Sequence, residues 1–269
     1  MMAHTRYESP PMQDFLHDYC NWAKPSRCSL SFDIDFVPDF MIQHLLSLLH
    51  PYPVKATFFV THPTEMLSII EADDRYELAL HPFNSPSSTQ GSSLMDIVTS
   101  LRALAPSAVG NRFHRLQHSY GDLAVLKQHG VRYDSSSIRF NTPYLVPAYH
   151  ADLDMTLITY GWEDGTCEAT GFAMDVASID MDSPGFKHFA FHPLNIYLNS
   201  SAENHRRDFL KTVNNQLTDS VQEAADSFIQ KGQGAGHVLR QLLEVICSHK
   251  RQTNTLSEID TAFRAAYNG

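Results

Sequence analysis

The stretch CSLSFDIDFVPDFMIQHLLSLLHPYPVKATFFV, Cys28 to Val60, decides the fold. Cys28 to Asp33 reads as a buried strand. Over Pro38 to His50, Phe40, Met41, Leu45, Leu48 and Leu49 recur at helical spacing, and Pro38 and Asp39 suit a first turn. Val54 to Val60 is β-branched and aromatic, the composition of a second strand. Working outward, Pro63 to Ala72 reads as a short helix, and Tyr76 to Leu80 as a third strand that stops at His81. Beyond a Ser/Pro-rich loop, Leu94, Ile97, Val98, Leu101 and Leu104 mark another amphipathic helix. Ser119 can cap Tyr120 to His129, which Gly130 ends. Val131 to Tyr133, Met155 to Gly161 and Phe186 to Phe191 supply later strands.

This alternation predicts an α/β fold with a parallel sheet and helices outside. Residues 141–184 carry more turn residues, so the alternation lapses there. Beyond Ala202 the chain is helical, with a break at Gly232 to Gly236 and a capping box at Thr255 and Glu258. The Gly-rich segment follows no strand, so it reads as an interhelix loop rather than a phosphate cradle. The expectation is a single domain over 1–269: an irregular barrel over about 28–200, and a helical elaboration over about 202–269.

Composition narrows the function classes. The 269 residues are 43% hydrophobic and 19% charged, which describes a globular chain with a sizeable core. Twenty Lys and Arg against 30 Asp and Glu give a net charge of −10, which disfavours nucleic acid and anionic membrane as partners. No apolar run approaches the ~18 residues of a membrane helix, so no membrane span is expected. Met1 to Phe15 lacks a leader-like apolar segment, which predicts a cytoplasmic protein. Cys20, Cys28, Cys167 and Cys247 form no C-x-x-C pair, against a disulfide framework or a cysteine-built zinc site. Histidine, at 15 residues, is the unusual count, and several lie beside carboxylates at strand ends.

Two such places stand out. Asp33 and Asp35 fall where the first strand should end, and residues two apart in a strand share a face. His81-Pro82 and His192-Pro193 each stop an apolar strand, since proline cannot continue a central ladder. Both imidazoles should emerge on the rim that carries the carboxylates.

Ser31 to Asp35, Lys55 to Val60, Glu77 to His81, Gly130 to Ser136, the strand ending at His192, and Thr255 to Ile259 together resemble the NodB-like polysaccharide deacetylases. The resemblance spans about Cys28 to Ile259. It implies a distorted (β/α) barrel, usually seven-stranded, and a metal-dependent hydrolase that removes acyl groups, usually acetyl, from N-acylated sugars. Carried over by position, Asp33 is the general base, Asp35 and His81 are metal ligands, and His192 is the general acid. Arg112, ahead of Arg115, pairs with the base. Trp162 and Asp164 match a motif whose aspartate tunes the acid histidine.

Two departures bear on the metal. Ser85 stands where the family places a second histidine, and Asn111 to Leu116 replaces the usual R-x-P-x-G. Serine is a poor zinc ligand. His114 is the candidate replacement from a neighbouring strand end, with Asn84 a weaker one. Asn84, Trp162 and Tyr197 are the expected substrate contacts. The implied cofactor is a divalent metal, zinc foremost, with cobalt, nickel or manganese as alternatives. The implied partner is an N-acylated sugar, carried as a sugar nucleotide, lipid-linked or within an oligosaccharide during cell-surface glycan synthesis. The rival readings are a catalytically silent carbohydrate-binding barrel, and a deformylase or other C–N amide hydrolase. Oligomeric state is left open.

Overall fold

A computed structural model describes residues 27–142, 145–183 and 185–267; Met1 to Phe15 and Cys20 lie outside the described residues. The first half follows the predicted alternation. Strand β1 (Cys28–Asp33) is buried along its whole length and leads into helix α1 (Asp39–Leu49), which buries Met41, Ile42, Leu45 and Leu49. Strand β2 (Ala56–Val60), helix α2 (Met66–Glu71), strand β3 (Tyr76–Leu80) and helix α3 (Leu94–Leu104) follow. Next come β4 (Gly110–Asn111) and α4 (Tyr120–Gln128). Ser119 and Asp122 close a capping box on α4, and Gly130 leaves it at φ 77°, a left-handed conformation that suits glycine.

The sheet has nine strands, two more than the seven the family resemblance implies. After β5 (Tyr133–Asp134) come β6 (Ala148–His150), β7 (Met155–Leu157), β8 (Trp162–Glu163), helix α5 (Asp164–Thr170) and β9 (Lys187–Phe191). The order is β6-β7-β5-β4-β3-β2-β1-β9-β8, parallel except at β6–β7. The surplus has a simple origin. Residues 155–163 are one extended run that changes neighbours partway, so it counts twice, and β6 is an antiparallel addition to its edge. Ile158 N–H donates to the Asp134 carbonyl (2.8 Å) and Tyr160 N–H to that of Ser137 (3.2 Å); Gly161 N–H then donates to the His188 carbonyl (3.0 Å). The run thus hands over from β5 to β9 and joins the two ends of the sheet, which gives the irregular barrel.

The two faces of the sheet differ in chemistry. Leu30, Phe32, Phe58, Leu80, Phe189 and Phe191 pack in the larger apolar cluster with the helices. Their alternate neighbours, including Ser31, Asp33, Phe59, Ala79, His81 and His188, line the other side. The C-terminal half adds α6 (Pro193–Leu198), α7 (Glu203–Thr212), α8 (Gln222–Phe228), α9 (Ala235–Ser248) and α10 (Leu256–Tyr267). Helix α10 closes the end of the barrel away from the strand C-termini, placing Leu256, Ile259 and Phe263 against Phe59, Ala79, Tyr133 and Phe186. Thr255 N–H donates to Glu258 (3.1 Å), and Glu258 N–H to the Thr255 hydroxyl (3.3 Å), forming the expected box. The Glu77 carboxylate accepts from Ser257 N–H (3.0 Å), Tyr133 (2.8 Å) and Thr57 (2.9 Å), although burial pushes its pKa up. Among the described residues, no helix is long and apolar enough to cross a membrane.

Gly110 leaves no room for a side chain: a Cβ there would stand 1.8 Å from the Tyr133 ring. Gly110→Ala should therefore lower stability by at least about 1–3 kcal/mol in urea denaturation, by overpacking. Gly121→Ala, at an exposed position of helix α4 with its nearest neighbour at 3.6 Å, should leave stability unchanged or raise it by up to ~1 kcal/mol.

Candidate active site

The C-terminal ends of adjacent strands deliver the polar side chains. Asp33 ends β1, but Asp35 does not share its strand face as the spacing predicts. The chain turns beyond Asp33, and Asp35 and Phe36 take left-handed backbone angles (φ 36° and 58°). Phe36 N–H is fastened to the Thr61 hydroxyl (3.0 Å). Such strained non-glycine backbone persists where surrounding contacts hold it, as these do. The turn brings Asp35 Oδ1 to 3.1 Å from His81 Nε2 and 3.0 Å from His114 Nδ1. The two ring nitrogens are 3.4 Å apart.

His81 Nδ1 lies 2.7 Å from the Arg112 carbonyl. That acceptor holds a proton on Nδ1 and turns Nε2 toward Asp35. Burial works against a charged ring, yet the carboxylates of Asp33 and Asp35 raise the His81 pKa. His114 sits in the turn His114–Leu116, with its N–H on the Pro82 carbonyl (3.0 Å). Its ring meets those of Phe83 and Phe36 edge-on, at 4.9 and 6.2 Å. Ser85 turns its hydroxyl to Ser87 (3.1 Å), and exposed Asn84 reaches toward Asp122 (3.4 Å).

Asp35, His81 and His114 fit a divalent cation by donor chemistry and by spacing. Donors ~2.0–2.2 Å from a tetrahedral ion stand roughly 3.3–3.6 Å apart, so the observed 3.0–3.4 Å needs only a small expansion. A second group that converges comprises Asp33, Glu163 and His192, whose ligand atoms lie within 4.8 Å of one another.

Arg112 is fully buried inside the barrel (0% exposed). Its Nη1 donates to Asp33 Oδ1 (2.7 Å), Nη2 to the hydroxyls of Ser31 (3.0 Å) and Ser135 (3.1 Å), and Nε to the Ser135 carbonyl (3.2 Å). The Phe59 and Tyr160 rings flank the guanidinium at 4.2 and 4.5 Å. Arg115 instead turns out over Phe83 (5.6 Å). Asp33 Oδ2 remains open to the site, 3.7 Å from His81 Nε2 and 4.0 Å from His192 Nε2.

His192 Nδ1 donates to Asp164 Oδ1 (2.6 Å), and its backbone N–H to Oδ2 (2.9 Å), so Nε2 faces the pocket. Burial works against a charged imidazole there, yet Asp164 raises the His192 pKa well above its ordinary value. Burial likewise opposes the Asp35 carboxylate, but hydrogen bonds with His114 and His81, and the nearby His192, hold its pKa well below the usual range. His188 is driven the other way: burial and then Arg112 push its pKa far down, so it stays neutral, with Nε2 3.0 Å from the Ser31 hydroxyl.

Two of the three expected substrate contacts pack on the helical side of the sheet. Trp162 (3% exposed) packs on Phe191 in the outer core, because β8 alternates and its neighbour Glu163 takes the site side. Tyr197 donates to Asp226 (2.6 Å) and meets Phe40 edge-on, on the helical face. Asn84 is exposed on the loop that follows His81, its amide 3.4 Å from Asp122. Conversely, sequence reasoning assigned no role to Ser31, Ser135, His188 or Glu163. The position of His188, within the strand that runs up to His192 and on the same alternating face as Ala190, was the available signal for that residue.

A sequence profile described as WbmS-like polysaccharide deacetylase matches residues 30–209. The structure is similar to that of a Bordetella bronchiseptica protein assigned as a polysaccharide deacetylase involved in O-antigen biosynthesis. The two are 26% identical at a TM-score of 0.74, over 85% of this chain and 93% of that one. A Mycobacterium smegmatis protein assigned as a polysaccharide deacetylase shares the fold at a TM-score of 0.55 and 18% identity, covering 88% of this chain and 90% of its own. No curated protein matches the chain.

Removing the guanidinium strands a buried carboxylate. Arg112→Met should cost about 3–5 kcal/mol in urea denaturation at neutral pH, and adding Asp33→Leu should recover most of that loss. A double variant no more stable than the single one would show that Arg112 acts through packing alone.

Proposed function

The chain belongs to the WbmS-like polysaccharide deacetylase family, and from that premise we propose that it is a metal-dependent hydrolase removing an N-acetyl group from an amino sugar. The observation that carries the metal reading is His114, whose Nδ1 stands 3.0 Å from Asp35 and 3.4 Å from His81 although the family's usual position holds Ser85. Asp35, His81 and His114 would hold the cation. When bound there, a divalent ion would lower the pKa of water and polarise the acyl carbonyl.

The protein's own groups divide the proton work. Arg112 takes one oxygen of Asp33, which orients that carboxylate and leaves Oδ2 to remove a proton from the attacking water. The buried Asp164 holds the His192 proton at Nδ1 and stabilises the imidazolium, so Nε2 can give its proton to the departing nitrogen. Asp33 and His192 approach the same space, 4.0 Å apart at Oδ2 and Nε2, as an acid and base serving one bond must. The O-antigen assignment of the Bordetella relative supports an acceptor in cell-surface glycan synthesis, presented as a sugar nucleotide, lipid-linked sugar or oligosaccharide.

Zinc and cobalt titration of the purified protein, read by elemental analysis and cobalt absorption, tests the metal centre. His114→Ala should lower zinc affinity by more than the 10–100-fold typical of a ligand's supporting partner, and Ser85→Ala should leave it unchanged. Equal affinity in wild type and His114→Ala would remove His114 from the ligand set, and no bound metal in the wild type would leave a carbohydrate-binding barrel.

Asp33→Asn and His192→Ala should each retain stoichiometric metal while kcat for deacetylation falls ~10²–10⁴-fold. Loss of metal from either variant would make that residue a ligand instead.

A further inference from the structure

Glu163 is placed at the reacting centre without a task in the scheme above. It precedes Asp164, and its side chain enters the site because Trp162 takes the opposite face of β8. Its carboxylate is oriented by two neutral hydroxyls, Tyr160 (3.3 Å to Oε1) and Thr166 on Oε2. Among the described residues no lysine or arginine forms an ion pair with it. Arg112, the fully buried guanidinium of the barrel, is committed to Asp33, and Asp164 is committed to His192. Glu163 thus presents an oriented anionic acceptor with spare lone pairs beside the acid histidine.

The spacing fixes what could use it. One ligand atom each from Asp33, Glu163 and His192 lies within 4.8 Å of the others. Gly165 has both groups beside it: a Cβ there would stand 3.5 Å from His192 Cε1 and 3.8 Å from the Glu163 carboxyl carbon, so the Glu163 carboxylate lies along the edge of the His192 ring that leads to the site. In this site the atom that His192 protonates is the leaving nitrogen.

We propose that Glu163 selects amides over esters by accepting a hydrogen bond from the scissile N–H and then holding the amine product as its ammonium. An ester presents only lone pairs at that position, which a carboxylate repels. The balance is that of ordinary hydrolysis. Water oxygen bonds to the acyl carbon and the C–N bond breaks. Nitrogen keeps its amide proton and receives a second from His192. The acyl product leaves as a carboxylate once its proton passes on, and the amine becomes an ammonium, the form Glu163 binds best. The same group thus reads the substrate by a donor and the product by a charge.

This inference rests on the deacetylase reading, and the experiment separates the two. Wild type, Glu163→Gln and Glu163→Asp, each loaded with zinc, are assayed on a panel of N-acetylated amino-sugar glycosides and on the matched O-acetyl esters. Calorimetry measures binding of the product amine and of the corresponding alcohol. Glu163→Gln should lower kcat/KM for the amide ~10–100-fold, the range for losing a charged hydrogen bond, while the ester rate holds or rises. It should weaken the amine and not the alcohol, keep its metal, and be partly rescued in Glu163→Asp. Equal losses on amide and ester, or an unchanged amine affinity, would overturn the assignment, as would loss of metal from Glu163→Gln. A wild type inactive on both substrate classes despite bound zinc would defeat the deacetylase reading itself, whereas an active wild type with an unmoved amide-to-ester ratio defeats only the role of Glu163.

Discussion

The arrangement depends first on Arg112. A guanidinium with no exposure to water needs its charge and donors satisfied locally, since an unpaired buried charge costs several kcal/mol. Asp33 from β1, Ser31 from the same strand and Ser135 beyond β5 supply the partners, and two aromatic rings cover its faces. These demands lock together strands far apart in sequence. The residue acts twice on the site: its side chain orients Asp33, and its carbonyl fixes the tautomer of His81. Asp33, the proposed base, and His81, a candidate metal ligand, are thereby set relative to one another through a single residue.

Around this pair the barrel separates two kinds of interior. The helical face is apolar and supplies cohesion, whereas the enclosed face carries hydroxyls, imidazoles and carboxylates that satisfy one another. Helix α10 closes one end with leucine, isoleucine and phenylalanine, leaving chemistry to the opposite rim. Environment then divides similar groups. His192 is held charged by Asp164 and His188 neutral by burial and Arg112, though His188 lies on β9 and His192 directly follows it.

The position of His114 follows from strand adjacency. β3 and β4 are parallel neighbours paired at Leu80 and Asn111, so the residues just beyond each strand run side by side. Arg112 N–H bonds to the Leu80 carbonyl and His114 N–H to that of Pro82, both at 3.0 Å. A histidine after β4 can therefore reach the space that a loop residue after β3 would otherwise serve, while the Ser85 loop bonds to itself.

Much of this was legible in the linear chain because it is local. Apolar spacing marked α1 and α3, a β-branched and aromatic run marked β2, and caps at Ser119 and Thr255 marked helix starts. The His-Pro stops placed His81 and His192 at strand ends, where a parallel sheet gathers them with Asp33. Tertiary structure alone decided the rest. Local periodicity says which residues alternate, but in a barrel both faces are buried, so it does not say which is enclosed. Hence Trp162 looked toward substrate in sequence and packs in the outer core, while Glu163 takes the site. The same holds for the left-handed turn that aims Asp35 and for the run 155–163 that closes the sheet. Each is fixed by hydrogen bonds between residues distant in the chain, an energy that no window of neighbouring residues contains.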